Sequence, residues 1–240
     1  MGTPPASVGD AADARQRRGH WWIERVVASL GAIASAEANP LRHLESLAIA
    51  LLGVAVVTGT YLFVLYPLSP WQAHRVVSAW SEHWLHGLMR SLHRYSSDML
   101  VLVVLLHGLQ MALAGKFRRW VEWVTGIGLV GVLWVIGISG LILIWDEQAQ
   151  LLGLLVVRLL LGTGLFDPGL ARMFVLQHPE ELGGFFRVML FGHVALSLLV
   201  IGGVWLHTVR LTRPRLLPPP RVALWSAGLL VAMAVAFPVG

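Results

Sequence analysis

Apolar segments long enough to cross a lipid bilayer are the feature that most constrains this chain. A hydrocarbon core of about 30 Å needs roughly 20 helical residues, and five segments are predicted to meet that length. These predicted spans are A (47–66), B (92–114), C (123–145), D (188–209) and E (222–240). Hydrophobic residues make up 56% of the sequence and charged residues only 13%, which is outside the usual make-up of a soluble domain. The sequence therefore predicts an all-α membrane protein, with spans A to D as a four-helix transmembrane bundle and span E as a fifth, C-terminal transmembrane helix.

The predicted spans divide the chain into three regions. Residues 1–46 are expected to form a cytoplasmic N-terminal segment, in which residues 21–36 make an amphipathic helix at the membrane interface. Residues 47–209 form the four-helix bundle, and residues 210–240 form a proline-rich linker followed by span E. Residues 151–161, between spans C and D, are too short to cross the membrane and are predicted to form a helix on the outer face.

Lysine and arginine residues are concentrated on one side of the predicted spans. The larger group comprises Arg15, Arg17, Arg18, Arg25, Arg42, Lys116, Arg118, Arg119, Arg210, Arg213, Arg215 and Arg221. The smaller group on the other side comprises Arg75, Arg90, Arg94, Arg158, Arg172 and Arg187. By the positive-inside rule the N-terminus is cytoplasmic, and we expect a multi-pass protein of a bacterial-type plasma (inner) membrane. The net charge of +5 then reflects topology and gives no reason to expect nucleic acid as a partner.

Two pairs of histidines carry the main chemical signal. His93 and His107 in span B are fourteen residues apart, and so are His193 and His207 in span D. Fourteen residues correspond to roughly 21 Å of helix and nearly four turns, so each helix presents two imidazoles on one stripe. If the two helices are neighbours, His93 faces His193 near the outer side and His107 faces His207 near the cytoplasmic side. Because cysteine is absent, metal ligands must be nitrogen or oxygen, and the pattern predicts two bis-imidazole haem sites.

Glycine spacing in the neighbouring spans agrees with cofactors at two depths. Gly126 and Gly140 in span C are also fourteen residues apart, and span A has Gly59 with Glu45 fourteen residues before it. A position without a side chain leaves room for a porphyrin edge. Small residues in membrane helices also serve helix–helix contact, however, so glycine spacing alone is weak support.

Other functions are open at this point. A histidine in a membrane span can simply hydrogen-bond a neighbouring helix, as in a structural membrane anchor without redox activity. A transporter is a second alternative, which would need broken helices or internal repeats with polar groups near the membrane centre. Spans A, C and E lack acidic and basic side chains, and the polar residues form depth-matched pairs. These features favour a haem protein.

The sequence resembles the N-terminal half of cytochrome b, and especially the shorter chloroplast-type relative in the cytochrome bf complex. The resemblance covers about residues 40–210. It rests on Thr58-Gly59, GLMRSLHRYSS at 87–97, WVTG at 123–126, Gly140 followed by IWD at 144–146, and the paired histidines. One departure is Glu45, which stands where the family has a glycine and indicates a shifted register or an altered cytoplasmic pocket.

The resemblance implies two haem b groups and a set of residues that bind them. His93 and His193 would ligate the outer, low-potential haem iron, and His107 and His207 the cytoplasmic, high-potential one. Arg90 would pair with a haem propionate. The full set of expected cofactor-binding residues is His93, His107, His193, His207, Arg90, Gly59, Gly126 and Gly140, and no residue is expected to be catalytic in its own right.

The resemblance also implies a function in electron transport. The chain would be a di-haem cytochrome subunit of a respiratory or photosynthetic complex, transferring electrons across the membrane between a quinone/quinol pool and partner redox subunits. Those partners would be iron–sulfur, c-type cytochrome or dehydrogenase subunits, and a quinone would react on the cytoplasmic side. The Pro-Glu-Trp-Tyr motif of the family's outer quinol site is absent from the sequence. Whether the chain is itself an enzyme therefore stays open, as do the direction of electron flow and the identity of the quinone.

Overall fold

The computed structural model describes residues 25, 39–114, 120–164, 169, 179–212 and 215–239. Apart from residue 25, the predicted interfacial helix at 21–36 lies outside these ranges. The described helices are α1 (Leu44–Leu65), α2 (Pro70–Ala79), α3 (Trp84–Leu113), α4 (Trp120–Ile142), α5 (Glu147–Gly162), α6 (Pro179–Leu206) and α7 (Pro220–Ala236). Short 3-10 turns occupy Pro40–Arg42 and Trp80–Glu82, and α6 continues into a π-helical segment at His207–Thr212.

Four of these helices are long and apolar enough to cross a membrane. They are α1, α3, α4 and the stretch Leu182–Leu211 that includes most of α6, and they correspond to spans A, B, C and D. The prediction of an all-α membrane protein with a four-helix bundle is thus confirmed. Helix α7 corresponds to span E but has 17 residues, about 25 Å of helix, so its crossing of the membrane stays a prediction.

The bundle is assembled from two helix pairs. Helix α1 packs along α3, and α4 packs along α6, with a smaller contact between α3 and α4. We call the end of the bundle with His93 and His193 the outer end, and the end with His107 and His207 the inner end. Towards the inner end, α1 and α3 share an apolar cluster made of Leu44, Leu47, Leu51, Leu100 and Val103. Burial of such side chains removes apolar surface from the solvent and fixes the two helices side by side.

Two shorter helices contribute to a second core at the outer end. Ala73 of α2 and Val157 of α5 are fully buried there with Phe186 of α6 and with Trp145. Tyr66, directly after α1, stacks on Phe186 with ring centroids 5.9 Å apart. The Tyr66 hydroxyl donates a hydrogen bond to the carbonyl oxygen of Leu143. This bond joins the end of α1 to the end of α4.

The predicted outer-face helix at 151–161 is present and longer than expected. It is part of α5, which begins after Asp146. The Asp146 carboxylate accepts a hydrogen bond of 2.7 Å from the backbone nitrogen of Ala149, as an N-cap residue does. This hydrogen bond fixes the start of α5 and therefore the turn between α4 and α5.

The C-terminal helix is joined to α3 by hydrogen bonds at its far end. Helix α7 packs on α3, and the hydroxyl of Tyr95 donates to the carbonyl oxygen of Phe237 at 2.6 Å. The backbone nitrogen of Val239 donates to Ser91 Oγ at 3.0 Å, and Arg90 donates to the Val239 carbonyl oxygen at 3.3 Å. The segment after α7 is thus docked beside the outer histidines of α3.

Candidate cofactor site between helices α3 and α6

The outer histidines face each other across the bundle. The ring centroids of His93 and His193 are 6.4 Å apart, and the ring planes make an angle of 67°. A metal–imidazole bond is about 2 Å long and a ring nitrogen lies roughly 1.2 Å from the ring centre, so two axial ligands on one metal ion have centroids about 6–6.5 Å apart. The outer pair therefore has the separation that a single iron atom between the two rings requires.

Backbone carbonyls orient both rings of the outer pair. His93 Nδ1 lies 2.9 Å from the carbonyl oxygen of Ala55, and His193 Nδ1 lies 3.1 Å from that of Ile136. A carbonyl oxygen can only accept a hydrogen bond, so Nδ1 carries the proton in each ring and Nε2 keeps its lone pair. A hydrogen bond from the remote ring nitrogen fixes the orientation of a metal-binding imidazole. Both rings thus have the tautomer suited to iron.

A hydroxyl group on the adjacent helix supports three of the four histidines. Thr58 Oγ1 lies 3.4 Å from Nδ1 of His93, and Ser139 Oγ lies 3.0 Å from Nδ1 of His193. At the inner end, Thr125 Oγ1 lies 2.8 Å from Nδ1 of His207. Each hydroxyl donates its own hydrogen to a carbonyl oxygen one turn back along its helix, so its lone pairs are free to accept from the imidazole.

The residue after each of these hydroxyl residues is a glycine that lies against the histidine ring. The distance from a Cβ placed on the glycine to ring carbon Cε1 is 2.8 Å at Gly59 (His93), 3.0 Å at Gly140 (His193) and 3.8 Å at Gly126 (His207). Real Cβ atoms do not show contacts below 3.0 Å, so a side chain at position 59 would displace the ring of His93. At position 140 the ring of His193 would have to move by a few tenths of an ångström. The predicted glycines therefore lie against the imidazole rings themselves.

The hydroxyl groups were not among the residues expected from the sequence. Their signal is nevertheless present as three dipeptides, Thr58-Gly59, Thr125-Gly126 and Ser139-Gly140. At the depth of His93, His193 and His207, a hydroxyl residue directly before a glycine thus marks a helix that hydrogen-bonds the imidazole and leaves room for it.

The fourth histidine has a different environment. His107 Nε2 lies 3.7 Å from Glu45 Oε1, and Glu45 precedes Gly59 by fourteen residues on the same helix. Gly59 contacts His93 and Glu45 contacts His107, so the same face of α1 lies along both histidines of α3. The register of α1 is therefore not shifted, and Glu45 occupies the position at His107 that Gly59 occupies at His93.

Arg90 is buried at the outer end, one turn before His93. Its guanidinium donates hydrogen bonds to the carbonyl oxygens of Val77 at 3.2 Å and Val239 at 3.3 Å. Asp146 is close enough to interact with it electrostatically. A role for Arg90 at a haem propionate stays a prediction.

Four helices with opposed histidines on two facing spans define a class of membrane protein, a bundle suited to a flat cofactor with a central metal ion. Sequence comparison gives the family within that class. The family model for cytochrome b/b6/petB matches residues 31–165, which is more than half of the chain. The protein belongs to the cytochrome b family, as its sequence predicted, and membership of this family implies haem b as the prosthetic group.

Individual relatives agree with the family assignment. Cytochrome b6 of Prochlorothrix hollandica is 30% identical over 122 residues, which cover 44% of this chain and 55% of that protein. Cytochrome b6 of Prochlorococcus marinus (strain MIT 9515) is 34% identical over 97 residues, covering 39% and 44%. Cytochrome b6 of Porphyra purpurea is 40% identical over 79 residues, covering 32% and 34%. The chain spans about half the length of these relatives or less.

Proposed function

We propose that this chain is the two-haem cytochrome subunit of a membrane electron-transfer complex. In this proposal His93 and His193 hold the iron of an outer haem, and His107 and His207 hold the iron of an inner haem. The observation that carries the proposal is the 6.4 Å separation of the two outer imidazole rings, which would let both hold one iron atom. When bound, the haem groups supply one-electron redox chemistry, while the protein supplies ligation, orientation and electrostatics.

The chain's own residues account for the orientation of the ligands. For His93, His193 and His207, oxygens on α1 and α4 contact the remote ring nitrogen, and a glycine on the same helix gives the ring room. The ligands of each helix are separated by fourteen residues, roughly 21 Å along the helix. An electron that passes from one site to the other would thus cross most of a hydrocarbon core of about 30 Å.

A groove beside His207 supports a quinone site at the inner end. Its volume is about 380 Å³. Its lining residues are Thr125, Gly128, Leu129, Val132, Gly203, Leu206, His207, Arg210 and Leu211. Small-molecule sites are mostly apolar with a few polar groups that fix orientation, and here Arg210 is the candidate for binding a quinone oxygen. We propose that a quinone reacts there.

Partners and location follow from the same proposal. Other redox subunits, of the iron–sulfur, c-type cytochrome or dehydrogenase kind, would deliver or remove electrons. The excess of lysine and arginine on one side of the spans supports an N-terminus in the cytoplasm, and we place the chain in a bacterial-type inner membrane. In this arrangement residues 1–46 face the cytoplasm, residues 47–209 bind the haem groups, and residues 210–240 form the linker and fifth span.

The proposal can be tested by applying a membrane potential to the purified protein in liposomes. A charge that crosses the whole membrane gains about 2.3 kcal/mol per 100 mV, so two sites separated by roughly two thirds of the core differ by about 1.6 kcal/mol. At half reduction, a potassium diffusion potential of 100 mV should change the ratio of reduced inner to reduced outer haem about 15-fold. His107→Ala serves as the control, because one remaining haem has no partner for exchange. Absence of any redistribution in the unmodified protein would contradict the proposal.

A further inference from the structure

The inner end of the bundle holds two carboxylates close to its histidines. Glu45 Oε1 lies 3.7 Å from His107 Nε2. Glu122, in the first turn of α4, is buried with only 8% of its surface exposed. Both Glu45 and Glu122 interact electrostatically with His207. The inner end therefore combines two imidazoles with two acidic groups, and Arg210 lies in the groove beside His207.

The outer end has a buried cation near its histidines, with Asp146 close enough to interact with it. Arg90 lies three residues before His93 on α3 and is buried. The position on α1 that faces the ring of His93 is Gly59, which carries no charge. The pair α1 and α3 thus has a cation, Arg90, near the outer histidines and a carboxylate, Glu45, at the inner histidine of α3.

Position 45 departs from a pattern that the other three histidines share. His93, His193 and His207 each contact a hydroxyl residue followed by a glycine. The equivalent dipeptide facing His107 is Leu44-Glu45. Leu44 is buried in the cluster between α1 and α3, and the Glu45 side chain is 36% exposed. The exchange replaces a small neutral position with a carboxylate beside a histidine.

We propose that Glu45 sets the reduction potential of the inner haem, holding it lower than a glycine at this position would. The inference rests on the proposed function, in which His107 and His207 bind a second haem. A ferric centre with a porphyrin dianion and two neutral imidazoles carries one positive charge, which is lost on reduction. A nearby carboxylate stabilises the charged, oxidised form, and the effect is large where the surroundings are apolar. In this proposal Glu45 acts on the haem through its charge.

The consequence is a smaller potential difference between the two haem groups than the family resemblance implies. That resemblance makes the inner haem the high-potential member of the pair. Glu45 favours the oxidised state at the inner end and so brings the two midpoint potentials closer together. Electron transfer from the outer to the inner site is then driven less strongly than it would be with a glycine at position 45.

The test is an equilibrium redox titration of the purified full-length protein and its variants. Glu45→Gln removes the charge and keeps the shape, and Glu45→Gly restores a glycine if the glutamine variant does not fold. Glu82→Gln is the matched control, because Glu82 is an exposed carboxylate at the outer end of the bundle. The inner component is identified as the one that His107→Ala removes. Haem content and the electron paramagnetic resonance spectrum are recorded for every variant.

We expect Glu45→Gln to keep two haems per chain and to shift only the inner midpoint potential upwards, with Glu82→Gln unchanged. An unmoved inner midpoint at full haem content would overturn the inference. A change of the inner haem from low spin to high spin would also overturn it, because Glu45 would then be an iron ligand. If the unmodified protein contains fewer than two haems, the proposed function fails together with the inference, and the haem content separates that outcome from the others.

Discussion

The backbone of Gly59 lies against the imidazole ring of His93, so that a Cβ atom at this position would stand 2.8 Å from ring carbon Cε1. Replacement by a larger residue must displace the ring, and inserting side-chain atoms into a packed site costs about 1–3 kcal/mol. We predict that Gly59→Val lowers the haem content from two per chain to about one, measured by a haem assay, with loss of the outer haem. The matched control is Gly53→Val on the same helix, because no atom lies within 4 Å of a Cβ at Gly53. Equal haem content in both variants would contradict the assigned role of Gly59.

The hydroxyl of Thr125 should matter more to its histidine than the hydroxyl of Thr58 does. Among the described contacts, His207 Nδ1 has Thr125 as its partner, whereas His93 Nδ1 also has the carbonyl oxygen of Ala55. Thr125→Val would leave a donor unsatisfied, at a cost of about 1–3 kcal/mol. We expect inner haem binding to weaken roughly 5- to 150-fold. Transfer of haem to apomyoglobin measures the effect.

Thr58→Val is the matched comparison for that experiment. Since the backbone carbonyl still orients His93, its cost should be about 0.5 kcal/mol, at the low end for a hydrogen bond. Equal haem loss in the two valine variants would show that the hydroxyl groups do not orient the ligands.

Arg90 links the outer site to the C-terminal segment. Its guanidinium donates to carbonyl oxygens of Val77 and Val239, and a cation near a haem favours the reduced form. We predict that Arg90→Gln lowers the midpoint potential of the outer haem and reduces its retention during purification. Arg94→Gln is the control, because Arg94 is exposed and pairs with Asp98 on the same helix. A midpoint shift of the same size in both variants would rule out a specific role for Arg90.

The hydroxyl of Tyr66 should stabilise the outer core. It donates to the carbonyl oxygen of Leu143 within a buried cluster, and removing a buried partner costs about 1–3 kcal/mol. We expect Tyr66→Phe to lower the thermal unfolding temperature of the detergent-solubilised protein. Tyr95→Phe, which removes an exposed hydrogen bond to Phe237, should lower it less. The reverse order would place the main stabilising contact at α7 instead of the outer core.

Much of the fold could be predicted from the sequence, because the membrane allows few solutions. A bilayer requires continuous apolar helices, so hydropathy and length alone indicate α1, α3, α4 and α6. The helix at Pro70–Ala79 was not predicted, since its residues have low mean hydropathy and mix apolar with polar side chains. Its start carries a helix signal that could have been used, with Ser69 as N-cap and Pro70 in the first turn. The outward extension of α3 to Trp84 likewise lies beyond the apolar stretch.

Of the residues in the candidate site, the four histidine ligands could be predicted from the sequence, whereas the contacts that orient them could not. Equal spacing of histidines on two helices is a property of the sequence, so the spacing alone is enough to propose both pairs. The contact between Gly59 and His93, and that between Ser139 and His193, depend on how α1 packs on α3 and how α4 packs on α6. The role of Glu45 depends on the same packing, because sequence alone left the register of α1 open.

The haem content of the purified chain, measured together with its reduced-minus-oxidised absorption spectrum, tests the central claim most directly. The account predicts two haem b groups per chain in the unmodified protein. His93→Ala should remove the outer haem and His107→Ala the inner one, leaving one haem in each variant. An unmodified chain without haem, or variants that keep both haem groups, would contradict the pairing of His93 with His193 and of His107 with His207.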